Sequence, residues 1–134
     1  MIRMLAHLLW VVIVLSGLQA CSPTEANKLV GEWKGADGVG RPLALNFTRE
    51  RELWLVQGGD VLNGQWMTVG RGRPLKVNLY VDVSPSYTKT IPAIGRFTDE
   101  GDLQLRVSDE LKYRPTVFED HAVPNQYTLS RKRS

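Results

Sequence analysis

The clearest structural pattern in this chain is Leu75-Lys76-Val77-Asn78-Leu79-Tyr80-Val81-Asp82-Val83. Leucine and valine occupy every odd position, while lysine, asparagine, tyrosine and aspartate occupy the even positions. Because successive side chains of a β-strand point to opposite faces, this alternation gives one apolar face and one polar face. The pattern predicts a half-buried strand whose leucines and valines, Val83 included, pack against a core.

Shorter stretches of the same kind lie on both sides of this strand, separated by turn residues such as Asp37-Gly38 and Gly58-Gly59-Asp60. They predict further strands at 29–36, 41–48, 52–57, 62–69, 87–97, 103–107, 116–119 and 126–131. Pro92 cannot donate a hydrogen bond to a neighbouring strand, so the strand at 87–97 is expected to have an edge or a bulge there.

The connections between these strands are of hairpin length, and no long helical period follows residue 29. Eight or nine short strands joined in this way are typical of an antiparallel up-and-down meander that closes into a barrel. A barrel of about eight strands has an interior that is filled by side chains or holds one small ligand. The sequence therefore predicts an all-β fold, with a single barrel domain over residues 29–134.

The charge of the chain is close to neutral once its N-terminal segment is set aside. The 134 residues include 17 Lys/Arg, 14 Asp/Glu and one cysteine. Residues 1–20 contain one basic residue, Arg3, and no acid, so their removal leaves 16 basic and 14 acidic side chains, a formal charge of +2. Without a basic stripe interleaved with aromatics, the domain is not expected to bind nucleic acid. The single cysteine excludes a disulfide within the chain, so the core alone must stabilise the barrel.

The N-terminal segment consists of a positive start at Met1-Ile2-Arg3, an apolar run at 5–15 and the tetrapeptide Leu18-Gln19-Ala20-Cys21. An apolar run of about 12 residues is shorter than the roughly 20 residues that cross a bilayer. These features predict a signal peptide helix over residues 1–20 that is cleaved from the chain. The alternative is a short membrane anchor that is never removed.

The tetrapeptide at 18–21 resembles the lipobox of bacterial lipoproteins, which signal peptidase II cuts before the cysteine. The resemblance implies cleavage between Ala20 and Cys21, and attachment of acyl chains such as palmitate to Cys21, so that membrane lipid becomes a partner. Ser22 resembles the residue that directs lipoproteins to the outer membrane, facing the periplasm. Residues 21–28 would then form the lipid-anchored tether, either as a short helix that begins near Ser22-Pro23 or as a flexible segment.

Gly31-Glu32-Trp33 resembles the Gly-x-Trp motif of lipocalins and related calycin barrels. The resemblance implies that Trp33 packs at the closed end of the barrel and that a basic residue of the last strand lies across its ring. Arg131 is the natural match, because it shares one strand face with Tyr127 and Leu129. Gly31, Trp33 and Arg131 are therefore the expected barrel-closing residues.

Two more tryptophans, Trp54 and Trp66, lie in predicted strands. They are candidates for lining a ligand pocket, since such pockets are rich in aromatic side chains. The alternative is that they pack in the core or at the rim of the barrel, because large aromatics bury 150–250 Å² each in typical proteins.

The sequence predicts neither a metal site nor an enzyme. His121 stands beside Glu119 and Asp120, but three donors in one loop do not complete a metal site, and a solvated acidic turn is expected. No serine lies on a nucleophile elbow, so we expect no catalysis and no cofactor. The predicted function is an outer-membrane-anchored barrel that binds a small hydrophobic molecule or lipid. A protein-interaction module, such as an envelope-assembly accessory, stress sensor or enzyme inhibitor, is the alternative.

Overall fold

The computed structural model describes residues 25–109 and 113–132. The predicted signal peptide helix, the cleavage site formed by Ala20 and Cys21, and the first half of the tether lie outside the described residues. The elements are α1 (Glu25–Leu29), β1 (Gly31–Asp37), β2 (Pro42–Phe47), β3 (Glu52–Gln57), β4 (Asp60–Thr68), β5 (Leu75–Ser84), β6 (Tyr87–Phe97), β7 (Leu103–Val107) and β8 (Gln126–Arg131). None of the helical residues in this described part forms a span long and apolar enough to cross a membrane.

Each strand pairs antiparallel with the next strand along the chain, and β8 returns to pair antiparallel with β1. The register of this closing pair sets Trp33 opposite Arg131 and Gly35 opposite Leu129. The result is a closed up-and-down barrel of eight strands, which confirms the predicted all-β barrel. The short helix α1 precedes the barrel. Of the two forms considered for the tether, its described part therefore has the helical one.

Side chains from all eight strands fill the barrel. The buried core consists of Leu29, Trp33, Leu43, Leu45, Phe47, Leu53, Leu55, Trp66, Leu75, Val77, Leu79, Val81, Ala93, Leu103, Leu105, Tyr127 and Leu129. The alternation along β5 is as predicted from Leu75 to Val81. It fails at Val83, which is 52% exposed, because the register between β5 and β6 shifts between Asp82 and Ser84. The prediction that Val83 packs in the core is therefore wrong.

The predicted strand at 116–119 is also wrong. The backbone groups of this segment form hydrogen bonds with side chains and not with a neighbouring strand. Arg106 Nη1 donates to the carbonyl of Val117 at 2.6 Å. The Gln126 side-chain amide bonds to both the backbone N–H and the carbonyl of Glu119, at 2.9 and 3.0 Å. The segment is thus held as a loop on the barrel, which leaves eight strands and not nine.

Pro92 lies where β6 extends past its partner β7. Ala93 is the first β6 residue that pairs with β7, and the Pro92 carbonyl accepts a 2.9 Å bond from the N–H of Ser108. In an antiparallel strand the N–H and C=O of one residue face the same neighbour. The missing N–H of Pro92 therefore faces the side where β7 has ended, so this position behaves as an edge.

The described part of the long connection between β7 and β8 packs on the outer surface of the barrel. Arg114 donates a 2.8 Å bond to the carbonyl of Ala93, and the guanidinium of Arg96 lies 4.2 Å from the ring centre of Phe118. Ile94 follows the inward-facing Ala93 and so points outward, yet it is only 1% exposed. The described part of the connection therefore shields the outer face of β5, β6 and β7.

Candidate functional site

Trp33 seals one end of the barrel, which we call the closed end. Its side chain is 1% exposed, and its ring centre lies 6.1 Å from that of Phe97. The indole Nε1–H donates a 2.8 Å hydrogen bond to the carbonyl of Leu29, the fully buried last residue of α1. Because the last carbonyls of a helix have no partner within it, this bond also holds α1 against the closed end.

Arg131 covers the ring of Trp33. Its guanidinium carbon lies 4.3 Å from the ring centre, and its two terminal nitrogens donate to the carbonyls of Val30 and Lys28 at 2.7 and 2.6 Å. Gly31 leaves room for this, since a Cβ there would lie 2.5 Å from Arg131 Nη1, and its φ of 137° is open mainly to glycine. The structure therefore brings the three motif residues together, where they cap α1 and plug the barrel.

A second tryptophan–arginine pair lies at the same end. Trp66 is 1% exposed, packs edge-on against Phe47 with 5.3 Å between ring centres, and donates from Nε1 to the carbonyl of Thr48 at 3.1 Å. The guanidinium of Arg51, in the turn between β2 and β3, lies 4.3 Å from the ring centre of Trp66. Sequence reasoning assigned no role to Arg51. Trp66 thus packs at the closed end, as the core alternative predicted.

The opposite end of the barrel contains a cavity of about 210 Å³, which we call the mouth. Its apolar floor is formed by Leu43, Leu55, Leu79, Ile91 and Val107. Its polar lining is formed by Gln57, Lys89, Ser108, Asp109, Asn125 and Tyr127. Neither Trp54 nor Trp66 lines this cavity. Ligand sites combine an apolar surface with convergent polar groups, and in this cavity the polar share is large, since six of the eleven lining residues are polar.

Some polar side chains of the mouth already have a hydrogen-bond partner in the protein, and others do not. The Tyr127 hydroxyl accepts a 3.3 Å bond from Gln57 Nε2, and burial, followed by the nearby negative charge of Asp37, raises the pKa of Tyr127. The hydroxyl therefore stays protonated at neutral pH and can donate to a ligand. Asp109 accepts from the side chain of Asn125, whereas Lys89 forms no ion pair within the described residues.

Asp37 fastens the turn between β1 and β2 beside the mouth. Its carboxylate accepts from the backbone N–H groups of Val39, Arg41 and Asn125 at 3.1, 2.9 and 3.2 Å, and from Arg41 Nε at 2.7 Å. Burial alone would raise the pKa of Asp37, but these hydrogen bonds outweigh it and hold the pKa below its ordinary value. The ionised carboxylate thus bonds this turn to Asn125, the residue directly before β8.

Trp54 lies on the outer surface of the barrel and is 51% exposed. The strand register places Asn46 on one side of it and Asn63 on the other, with Glu32 beyond Asn46. We call Glu32, Asn46, Trp54 and Asn63 the Trp54 row. It borders a groove of about 720 Å³ that is lined in part by Lys34, Ala44, Val56 and Lys132. Of the two candidate ligand-lining tryptophans, Trp54 therefore borders this groove, whereas Trp66 is buried in the barrel.

The residues considered for metal binding lie together on the surface. Donor atoms of Glu119, Asp120 and His121 lie within 4.8 Å of one another. Glu119 is paired with Arg106 at 3.3 Å, and His121 Nδ1 lies 3.1 Å from Asp120 Oδ1, a hydrogen bond that lowers the pKa of Asp120. These contacts are those of an ion-paired surface loop.

No family model, curated protein or solved structure matches the chain.

Proposed function

We propose that this chain is a non-enzymatic binding barrel, anchored by lipid to the periplasmic face of the outer membrane, that takes a small hydrophobic molecule or part of a lipid at its mouth. The composition of the mouth is the main support for this proposal. It combines an apolar floor with two polar groups that a ligand can use, the Tyr127 hydroxyl and the ammonium of Lys89, whereas the closed end is filled by Trp33 and Trp66.

The volume of the mouth limits the size of the ligand. About 210 Å³ is less than the roughly 300–1,000 Å³ of typical drug-sized sites and equals about seven water molecules at roughly 30 Å³ each. A short alkyl chain, or the end of a longer acyl chain, matches this space. The ammonium group of Lys89 at the rim can pair with a carboxylate or phosphate head of a ligand, while Asp109, which lines the same cavity, is bonded to Asn125.

The position of α1 supports an orientation for the anchored protein. Glu25 begins α1 at the closed end and follows Cys21 by four residues, a span of at most about 14 Å when fully extended. An acylated Cys21 would therefore hold the closed end beside the membrane. The mouth would then face away from the bilayer, towards the periplasm, where a soluble amphiphile can enter it.

The mouth is tested with octanoate, a short-chain carboxylate, titrated into the full-length protein and followed by calorimetry. Val107→Phe fills part of the floor and should weaken binding by about tenfold or more. Val117→Phe is the matched control, because Val117 is 60% exposed on the surface loop. Equal octanoate affinity in the wild type and in Val107→Phe, or no octanoate binding by the wild type, would contradict the proposed site.

The anchor is tested separately by metabolic labelling with a fatty acid. The wild-type chain should incorporate the label, and Cys21→Ser should abolish incorporation, because the thiolate is the nucleophile that forms the thioether. Fractionation of the envelope should place the labelled protein in the outer membrane. Label that persists in Cys21→Ser would show that the lipobox assignment is wrong, without bearing on the mouth.

A further inference from the structure

The fold does not account for the exposure of Trp54. The other two tryptophans of the barrel are each 1% exposed and contribute to the closed end, whereas half of the Trp54 side chain is open to solvent. Val56, on the same outer face of β3, is 41% exposed. Exposed aromatic and apolar side chains that cluster on one face of a protein mark binding surfaces.

The surroundings of Trp54 are polar and arranged in a line. Glu32, Asn46, Trp54 and Asn63 lie directly opposite one another on β1, β2, β3 and β4. Neighbouring strands are about 4.8 Å apart, so the Trp54 row extends over about 14 Å of the barrel surface. The row therefore forms a narrow platform with an aromatic ring between two amides and a carboxylate at one end.

The polar groups next to the ring are available to a ligand. Within the described residues, the side chains of Asn46, Trp54 and Asn63 form no hydrogen bond to another protein group. Each amide can both donate and accept, and the indole N–H can donate. Glu32 pairs with Lys132 at 3.4 Å on the surface, where such pairs are weak and readily exchanged.

An apolar strip runs parallel to the row. Ala44, Val56 and Val61 lie opposite one another on β2, β3 and β4, two positions along each strand from the Trp54 row. Val61 is 61% exposed, so this strip is also open to solvent. The surface thus presents an aromatic ring flanked by amides and, beside it, a strip that suits small apolar substituents.

We infer that the Trp54 row binds an extended glycan chain built from N-acetylated amino sugars. A pyranose ring has an apolar C–H face that stacks on an aromatic ring, and its hydroxyl groups lie at the edge, where they can bond to amides on either side. The N-acetyl methyl group is a small apolar substituent that matches the strip formed by Ala44, Val56 and Val61. A protein partner would favour an aromatic anchor inside an apolar centre with a polar rim, whereas here amides adjoin the ring itself.

The test uses the full-length protein in a detergent without a sugar headgroup, titrated with a linear N-acetylglucosamine oligomer and followed by calorimetry. Trp54→Ala should lower the affinity by about tenfold, and Trp54→Phe should lower it less, because a ring is retained. Asn63→Ala should weaken binding severalfold. Met67→Ala is the matched control, because Met67 is 55% exposed on the outer face of β4 outside the row. Val107→Phe should bind the oligomer normally, which separates this site from the mouth.

Several results would overturn the inference. They are the absence of oligomer binding by the wild type at millimolar concentration, equal affinity in Trp54→Ala, or equal loss in Met67→Ala. Equal affinity for a glucose oligomer would contradict the assignment to N-acetylated sugars. Crosslinking through a photoreactive group at position 54 that captured an envelope protein, with no oligomer binding, would show that the face serves a protein partner instead.

Discussion

The two ends of the barrel differ in how they are filled. At the closed end, Trp33 and Trp66 occupy the interior, and Arg131 and Arg51 lie over their rings at 4.3 Å in both pairs. At the mouth, aliphatic side chains and Tyr127 leave about 210 Å³ open. The same strand alternation builds both ends, so the size of the inward-facing side chains decides which end is closed.

The charged side chains at the two ends, Arg131 and Arg51 at one and Asp37 at the other, stabilise the barrel in different ways. Arg131 and Arg51 cover buried rings, and Arg131 also donates to two backbone carbonyls, so both arginines add to packing. Asp37 at the mouth is a buried carboxylate that holds a turn and a loop together through its hydrogen bonds. One end is therefore stabilised mainly by apolar burial, while the other depends on an ionised group and on pH.

The largest loss of stability should come from Trp33→Ala, which removes one of the two tryptophan side chains that fill the closed end. We expect a loss of about 3–5 kcal/mol in the free energy of unfolding, measured by urea denaturation with circular dichroism. Trp33→Phe should cost less, because one aromatic ring is kept, although the hydrogen bond to Leu29 and part of the buried volume are lost. A loss below about 1 kcal/mol in Trp33→Ala would show that this side chain does not seal the closed end of the barrel.

The two arginines of the closed end should differ from each other. Arg131→Ala loses both a cation–π contact and two charge-assisted hydrogen bonds, so we expect a loss of about 2–3 kcal/mol. Arg51→Ala loses a cation–π contact at the surface, for which about 0.5–1 kcal/mol is typical. The same denaturation measurement applies, and equal losses would contradict the role of Arg131 in capping α1.

Acid should affect the mouth more than the closed end. The pKa of Asp37 is lower in the folded protein than in the unfolded chain, so its stabilisation is present above the unfolded value near 3.8 and is lost as pH falls through the folded value. Asp37→Asn should therefore cost about 1–2 kcal/mol at pH 7. The gap between the two proteins should narrow below about pH 4. A gap that stays constant from pH 7 to pH 3, followed by urea denaturation, would contradict this role.

Strand alternation and hairpin turns were sufficient to predict the eight strands and their closure, since both depend on local sequence and on burial of one face. Trp33 and Arg131 were predicted as partners through the motif and the face of the last strand. Arg51 could have been found from the register: Gln57 pairs with Asp60 across the Gly58-Gly59 turn, and the same register continues to place Arg51 opposite Trp66.

Other features depend on tertiary contacts that local sequence does not encode. The segment at 116–119 has the composition of a strand, but Arg106 and Gln126 satisfy its backbone and keep it as a loop. β3 is apolar on both faces, so alternation could not tell whether Trp54 points inward or outward. The mouth was beyond prediction, because a cavity is the difference between a barrel's volume and the summed volumes of distant side chains.

The most direct test of the contrast between the two ends is an NMR titration of the full-length, ¹⁵N-labelled protein with octanoate. The indole N–H signals of Trp33 and Trp66 report on the closed end, and the backbone amides of Val107 and Tyr127 report on the mouth. We expect the amide signals of Val107 and Tyr127 to shift with a common saturation curve while both indole signals stay fixed. Shifts at the Trp33 or Trp66 indoles without shifts at the mouth would contradict the account, because octanoate would then bind at the end that the structure shows to be filled.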